Sequence, residues 1–147
     1  MLNNDLSQQI KRNFPYKPTE EQENAVKSFA EFLFSPSADS VFLMKGYAGT
    51  GKTTLISALV RTLDSLQRKV ILLAPTGRAA KVFSGYAGHP AYTIHKKIYR
   101  QKVFSNETDN FVANQNLHRN TLFIVDEASM IANEGLSGGH FGTGRLL

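Results

Sequence analysis

The stretch Gly46-Tyr47-Ala48-Gly49-Thr50-Gly51-Lys52-Thr53 decides the reading of this chain. Val41 to Lys45 before it is a short apolar run of strand length. Lys52 to Leu66 after it carries Leu55, Ile56, Leu59, Val60 and Leu63 at helical spacing. Strand, glycine loop and helix in that order form the setting in which backbone N–H groups wrap phosphate oxygens at a helix N-terminus. Gly46, Ala48, Gly49, Thr50, Gly51, Lys52, Thr53 and Thr54 are therefore the candidate ATP contacts. Lys52 would reach the β and γ phosphates, and the Thr53 hydroxyl would coordinate Mg²⁺. The plainer alternative, a turn that is merely rich in glycine, does not explain why the required strand and helix flank it.

Outward from the loop, the pattern repeats. Val70 to Ala74 is an unbroken apolar run, as in a parallel strand covered on both faces, and Pro75 ends it. Short helices are expected over Gly77 to Ser84 and Thr93 to Arg100. Leu122 to Val125 reads as a third buried strand that ends in Asp126 and Glu127. Carboxylates at the C-terminal edge of such a strand lie where open α/β sheets bind ligands. Asp126 would hold Mg²⁺, and Glu127 would orient and deprotonate an attacking water. Taken alone, the pair is also what many strands show at an exposed end. Lys52, Asp126 and Glu127 are the catalytic candidates. Strands alternating with helices give an α/β fold with a largely parallel sheet.

Upstream, Thr19 to Gln22 matches a capping box that opens a helix over about residues 20 to 34, with Ala25, Val26, Phe29, Phe32 and Leu33 at helical spacing. Gln22 has two readings: the reciprocal residue of that cap, worth about 1 kcal/mol of helix stability, or an amide that reads the adenine edge. Residues 1 to 14 read as a polar arm.

The chain has 147 residues, about one domain, with 41% hydrophobic and 20% charged residues, ordinary for a globular protein. It has no cysteine, which excludes disulfides, thiolate metal sites and a cysteine nucleophile. No apolar run approaches membrane length, and the first residues lack the apolar core of a secretory signal, so a cytoplasmic protein is expected. The formal net charge of +5 is unevenly placed. Ser65 to Asn106 carries eight basic residues and no carboxylate. Such a run is either a solvated face or a surface for a phosphate-rich polymer.

Two loops inside that run are candidates for the second role. Thr76-Gly77-Arg78 with Lys81 follows a predicted strand, and Thr76 is well placed as an N-cap. Its hydroxyl, the backbone N–H groups and the two basic side chains also suit a nucleic-acid backbone. Thr93-Ile94-His95-Lys96 has the same mixture, although a lone His95 is more often structural than catalytic. The polar segment 101 to 119, with Phe104 and Phe111 flanking a turn-like stretch, suggests a small inserted hairpin.

The order Pro18-Thr19-Glu20-Glu21-Gln22, GYAGTGKT, APTGRAAK, TIHK and IVDEASM resembles superfamily 1 helicases of the RecD-like type, the α subunit of exodeoxyribonuclease V and its stand-alone relatives. The resemblance spans about residues 15 to 135. It implies a P-loop NTPase with a RecA-like parallel sheet flanked by helices, driven by ATP and Mg²⁺ and moving 5′ to 3′ on single-stranded DNA. It implies adenine recognition by Gln22 and DNA contacts by Thr76, Gly77, Arg78, Thr93 and His95, with possible helicase or nuclease partner subunits, and it leaves open whether the pathway is DNA repair, recombination or replication of a mobile element. It also implies a second RecA-like domain, whose arginine completes the ATP pocket and is worth about 10³ to 10⁵ in rate. No such segment follows Glu127 here. Residues 1 to 147 are therefore expected to be the N-terminal part of a first motor domain, with half a pocket, weak nucleotide binding and little turnover. The competing expectations are another P-loop enzyme such as a nucleotide kinase, and a truncated module that binds nucleotide or DNA without catalysis.

Overall fold

A computed structural model of the chain describes residues 2–35, 37, 39–47, 49–101, 111–113 and 120–131. They fall into two compact units, residues 1–68 with 86–88, and residues 69–85 with 89–147.

The first unit is helical. Helix α1 spans Leu2–Arg12, α2 Glu20–Leu33 and α3 Lys52–Ser65. The expected polar arm is thus a helix. Leu6 and Ile10 recur at i and i+4, and both are buried where α1 packs on α2 and α3. The polar majority of residues 2 to 12 lies on the outer face, which hid this two-residue stripe. Asn13 closes the helix, its Nδ2 donating to the Gln9 carbonyl at 3.2 Å and to the fully buried Thr62 Oγ1 at 2.8 Å. Thr62 in turn donates to the Ala58 carbonyl, so a buried hydroxyl on α3 is fully satisfied. The Lys11–Glu23 ion pair between α1 and α2 is partly exposed and contributes little.

Residues 41 to 45 correct a second expectation, for they form no strand. A strand requires a ladder partner as well as apolar side chains. Among the described residues the parallel sheet has no ladder to this segment. Val41 is 87% and Leu43 67% exposed. Phe42 instead packs its ring on Phe29 and Phe32, with centroids 5.7 and 5.6 Å away.

The second unit holds the sheet. Strands β1 (Lys69–Ala74), β2 (Ala91–Thr93) and β5 (Thr121–Val125) pair in the order β2-β1-β5, all parallel. Helix α4 (Gly77–Ala87) connects β1 to β2, and α5 (Ile94–Ile98) follows β2. The expected helix from Thr93 to Arg100 is therefore shorter. Ala91–Thr93 is strand, and Tyr99–Gln101 is β3, paired antiparallel with β4 (Phe111–Ala113). The rest of the insert expected over 101 to 119 lies outside the described residues. Val70 to Ala74 are all buried, as their continuous apolar pattern requires. Strand β5 departs from that pattern. Phe123 and Val125 share one face and are each 37% exposed, while Leu122 and Ile124 on the other face are half-buried. Ile71, Leu73 and Ile94 form one buried cluster of this unit, with Tyr92 and Ile131 packed against it.

If α1 belongs to the folded core, Ile10→Ala lowers unfolding stability in urea by about 2–5 kcal/mol. Wild-type stability would show that α1 is not part of it.

Candidate functional site

The glycine loop leads into α3, whose N-cap, Gly51, has no side-chain cap and a left-handed backbone with φ of 81°. The first N–H groups of a helix have no partner within it. Helix α2 satisfies them with its Thr19–Gln22 capping box and places Glu20, Glu21 and Glu23 in its first turn. Helix α3 does neither: its first turn has no acid and begins with Lys52. Two helices of equal length thus treat their positive ends in opposite ways, and that of α3 suits an external anion.

At two of the loop's glycines a side chain would collide with a neighbour. A Cβ on Gly51 would lie 2.3 Å from Gln22 Nε2, and one on Gly46 would lie 2.8 Å from Thr50 Oγ1. Thr50 Oγ1 donates to the Tyr47 carbonyl at 2.7 Å, and Lys52 Nζ donates to the Gly46 carbonyl, which folds the ammonium over the start of the loop. Gly49 and Thr53 are exposed; Ala48 lies outside the described residues. Thr54 meets the phenol of Tyr16, whose hydroxyl donates to Thr54 Oγ1 at 3.2 Å.

The capping reading of Gln22 holds, and its amide makes one further contact. It is buried, its Oε1 accepts from the Thr19 N–H at 2.9 Å, and its own N–H donates to Thr19 Oγ1 at 3.2 Å, completing the capping box. Its Nε2 donates to the Gly51 carbonyl at 3.1 Å. The same amide therefore caps α2 and holds the end of the glycine loop.

In the second unit, parallel pairing brings the C-terminal ends of β1, β2 and β5 to one edge, with Ala74 beside Thr93 and Leu73 beside Val125. Everything that leaves those ends shares that edge. After β1, Thr76 Oγ1 accepts from the Ala79 N–H at 3.1 Å. After β2, Thr93 Oγ1 accepts from the Lys96 N–H at 3.2 Å. Both threonines are caps, and each hydroxyl still has a hydrogen to donate. Gly77, Arg78, Lys81 and Lys96 are exposed, while Thr93 and His95 are half-buried. Gly77, Lys81, Ser84, Tyr92, Thr93 and Lys96 line a groove of about 480 Å³. Lys97 Nζ lies 4.4 Å above the Tyr92 ring, a cation–π contact beside that groove.

After β5, the Asp126 N–H extends the ladder to the Leu73 carbonyl at 3.0 Å, and Asp126 Oδ1 accepts from the Glu127 N–H at 2.9 Å. Glu127 has φ of 55°, a left-handed conformation that costs a side-chain-bearing residue about 1–2 kcal/mol. Gln67 and Asn120 share this conformation. Nothing in the motif pattern signals it, because only backbone geometry reveals it. The motifs also omit Tyr16, Ser84 and Tyr92. A tyrosine between Pro15 and Pro18 was the one available signal for the first.

A family model described as an AAA domain matches residues 17–137. The chain belongs to the AAA-domain family. This AAA-domain chain is 32% identical over 107 residues to the multifunctional conjugation protein TraI of Escherichia coli, covering 69% of the chain and 6% of that protein. It is 37% identical over 90 residues to the ATP-dependent DNA helicase dda of Enterobacteria phage T4, covering 59% and 20%. It is 30% identical over 105 residues to the ATP-dependent RecD2 DNA helicase of Deinococcus radiodurans, covering 71% and 14%. The AAA-domain chain thus spans between 6% and 20% of the length of these relatives. Its fold is the α/β, RecA-like P-loop type, and its affinities are with helicase-like P-loop NTPases. Among the described residues no helix is long and apolar enough to cross a membrane.

Gly51→Ala places a methyl group against the Gln22 amide in a left-handed backbone. Thermal or urea unfolding should register a loss greater than about 1 kcal/mol. A variant as stable as the wild type would contradict the placement of Gln22 against the loop.

Proposed function

We propose that this chain is the N-terminal part, residues 1–147, of the first motor domain of a RecD-like, ATP-dependent DNA helicase that moves 5′ to 3′ on single-stranded DNA. The observation that supports it best is the shared sheet edge of the second unit. There the Asp126–Glu127 pair stands on the same three strands as the hydroxyl and basic residues of the β1–α4 and β2–α5 loops.

In this reading the uncapped start of α3 and the Lys52 ammonium hold the β and γ phosphates of ATP. Lys52 exchanges the Gly46 carbonyl for a phosphate oxygen. The donor set suits Mg²⁺, a hard cation that keeps most of its waters: the Thr53 hydroxyl and the Asp126 carboxylate would hold it, and it would neutralise phosphate charge. Glu127 takes a proton from water as the water oxygen bonds the γ phosphorus and the bond to the β-phosphate oxygen breaks, releasing ADP. Its left-handed backbone fixes where that carboxylate starts. Thr76, Gly77, Arg78, Lys81, Thr93, His95 and Lys96 grip the sugar–phosphate backbone, which positions the strand without reading its bases. We place a small inserted hairpin at 101–119, and the working protein in the cytoplasm, in DNA repair or recombination, with helicase or nuclease subunits as possible partners. Residues 1–147 alone, with half of a pocket shared by two RecA-like domains, bind nucleotide weakly and turn over little, since the arginine worth about 10³ to 10⁵ in rate would come from the second domain.

The test is ATP hydrolysis with and without single-stranded DNA, for this chain and for a version extended through a second RecA-like domain. Only the extended protein should turn over, with stimulation by DNA, and Glu127→Gln should lower its rate by about 10² to 10⁴. Lys52→Ala should abolish activity. DNA-stimulated hydrolysis by residues 1–147 alone would contradict the half-pocket account. Inactivity of both proteins would favour a module that binds without catalysis.

A further inference from the structure

The groove bordered by α4 and β2 has two chemically different halves. Its inner part is apolar: Ala80 is buried, and Ala91 and Tyr92 are half-buried. Its outer part is basic, with Lys81 and Lys96 both exposed. Tyr92 belongs to none of the motifs, yet it is held firmly. It packs against Ile71, Leu73 and Ile94, carries the Lys97 ammonium 4.4 Å over its ring, and lines the groove with what remains. Gly85 keeps the space beside it open. It lies within α4, where glycine is less favourable than alanine, and it has no positive φ that would require glycine. A Cβ there would meet nothing within 4 Å. The groove's volume of about 480 Å³ falls within the roughly 300–1,000 Å³ of sites that take a small organic ligand.

A phosphodiester suits only the outer half, because an apolar wall offers its charged oxygens no donor. A nucleobase suits the inner half, because its face rests favourably on an aromatic ring. We propose that the groove takes one base of a bound single strand of DNA, turned inward against the Tyr92 ring, while Lys81 and Lys96 hold the neighbouring phosphates. This rests on the reading of the sheet edge as the DNA site, and it adds a base subsite to the backbone grip. No carboxylate occurs between Ser65 and Asn106, so nothing in that run repels the strand. The Lys97 contact fixes the ring before any strand arrives. Every base has a π face, so the subsite holds a base without identifying it.

The experiment is fluorescence anisotropy of the 147-residue chain, over a series of salt concentrations, with a labelled oligodeoxythymidine and with an abasic strand of equal length. Tyr92→Ala should weaken oligodeoxythymidine binding about tenfold and leave abasic binding within about twofold. Tyr92→Phe, which keeps the ring, should match the wild type on both strands. Gly85→Leu fills the groove at a helical position that accepts a side chain. It should show the same selective loss, with thermal stability unchanged or raised. Lys96→Gln should weaken both strands alike and make the salt dependence shallower by about 0.7 in logarithmic slope. Unchanged oligodeoxythymidine affinity in Tyr92→Ala or Gly85→Leu overturns the base subsite, as does an equal loss on both strands. If the wild-type chain has no salt-dependent affinity for either strand, the DNA reading of the sheet edge itself fails.

Discussion

The Gln22 amide connects the parts of the first unit that matter for ligand binding. One side of it closes the cap of α2, and the other holds the Gly51 carbonyl at the start of α3. Because the side chain is buried, each lost bond would leave an unsatisfied polar atom, at a cost of about 1–3 kcal/mol. A side chain on Gly51 would collide with that amide, and the residue's left-handed turn begins α3 without a side-chain cap. Local stability and the shape of the glycine loop are therefore one constraint.

In the second unit the corresponding constraint is parallel pairing. Three strands running the same way deliver three loops to one edge, whatever residues those loops contain. The sequence supplies threonine caps and basic side chains after β1 and β2, and two carboxylates after β5. Caps at Thr76 and Thr93 start the next helix, and they also fix the backbone from which Arg78, Lys81 and Lys96 project. Of the two caps, Thr93 also lines the groove, together with Lys81 and Lys96.

Much of this was legible from residue order. The glycine loop, the capping box at Thr19, the buried strand Val70 to Ala74 and the helix after Thr76 each follow from periodicity or cap chemistry confined to a few neighbours. What escaped depends on distant partners. Leu6 and Ile10 reveal α1 only when α2 and α3 are there to bury them. Val41 to Lys45 has the composition of a strand, yet composition provides no ladder, and Phe42 found Phe29 and Phe32 instead. Thr93 reads equally as a helix cap and a strand end, and it is both. The left-handed turn at Glu127 is a three-dimensional fact with no one-dimensional signal.

The central claim is that nucleotide at the α3 N-terminus and DNA at the sheet edge are coupled in one motor. Coupling is a free energy shared by two sites, and it is reciprocal. The most direct measurement is single-stranded DNA affinity by fluorescence anisotropy, at fixed salt, for the protein extended through a second RecA-like domain, with and without a non-hydrolysable ATP analogue and Mg²⁺. The account predicts a shift of about fivefold or more that disappears in Lys52→Ala. Identical DNA affinity in both conditions would contradict it.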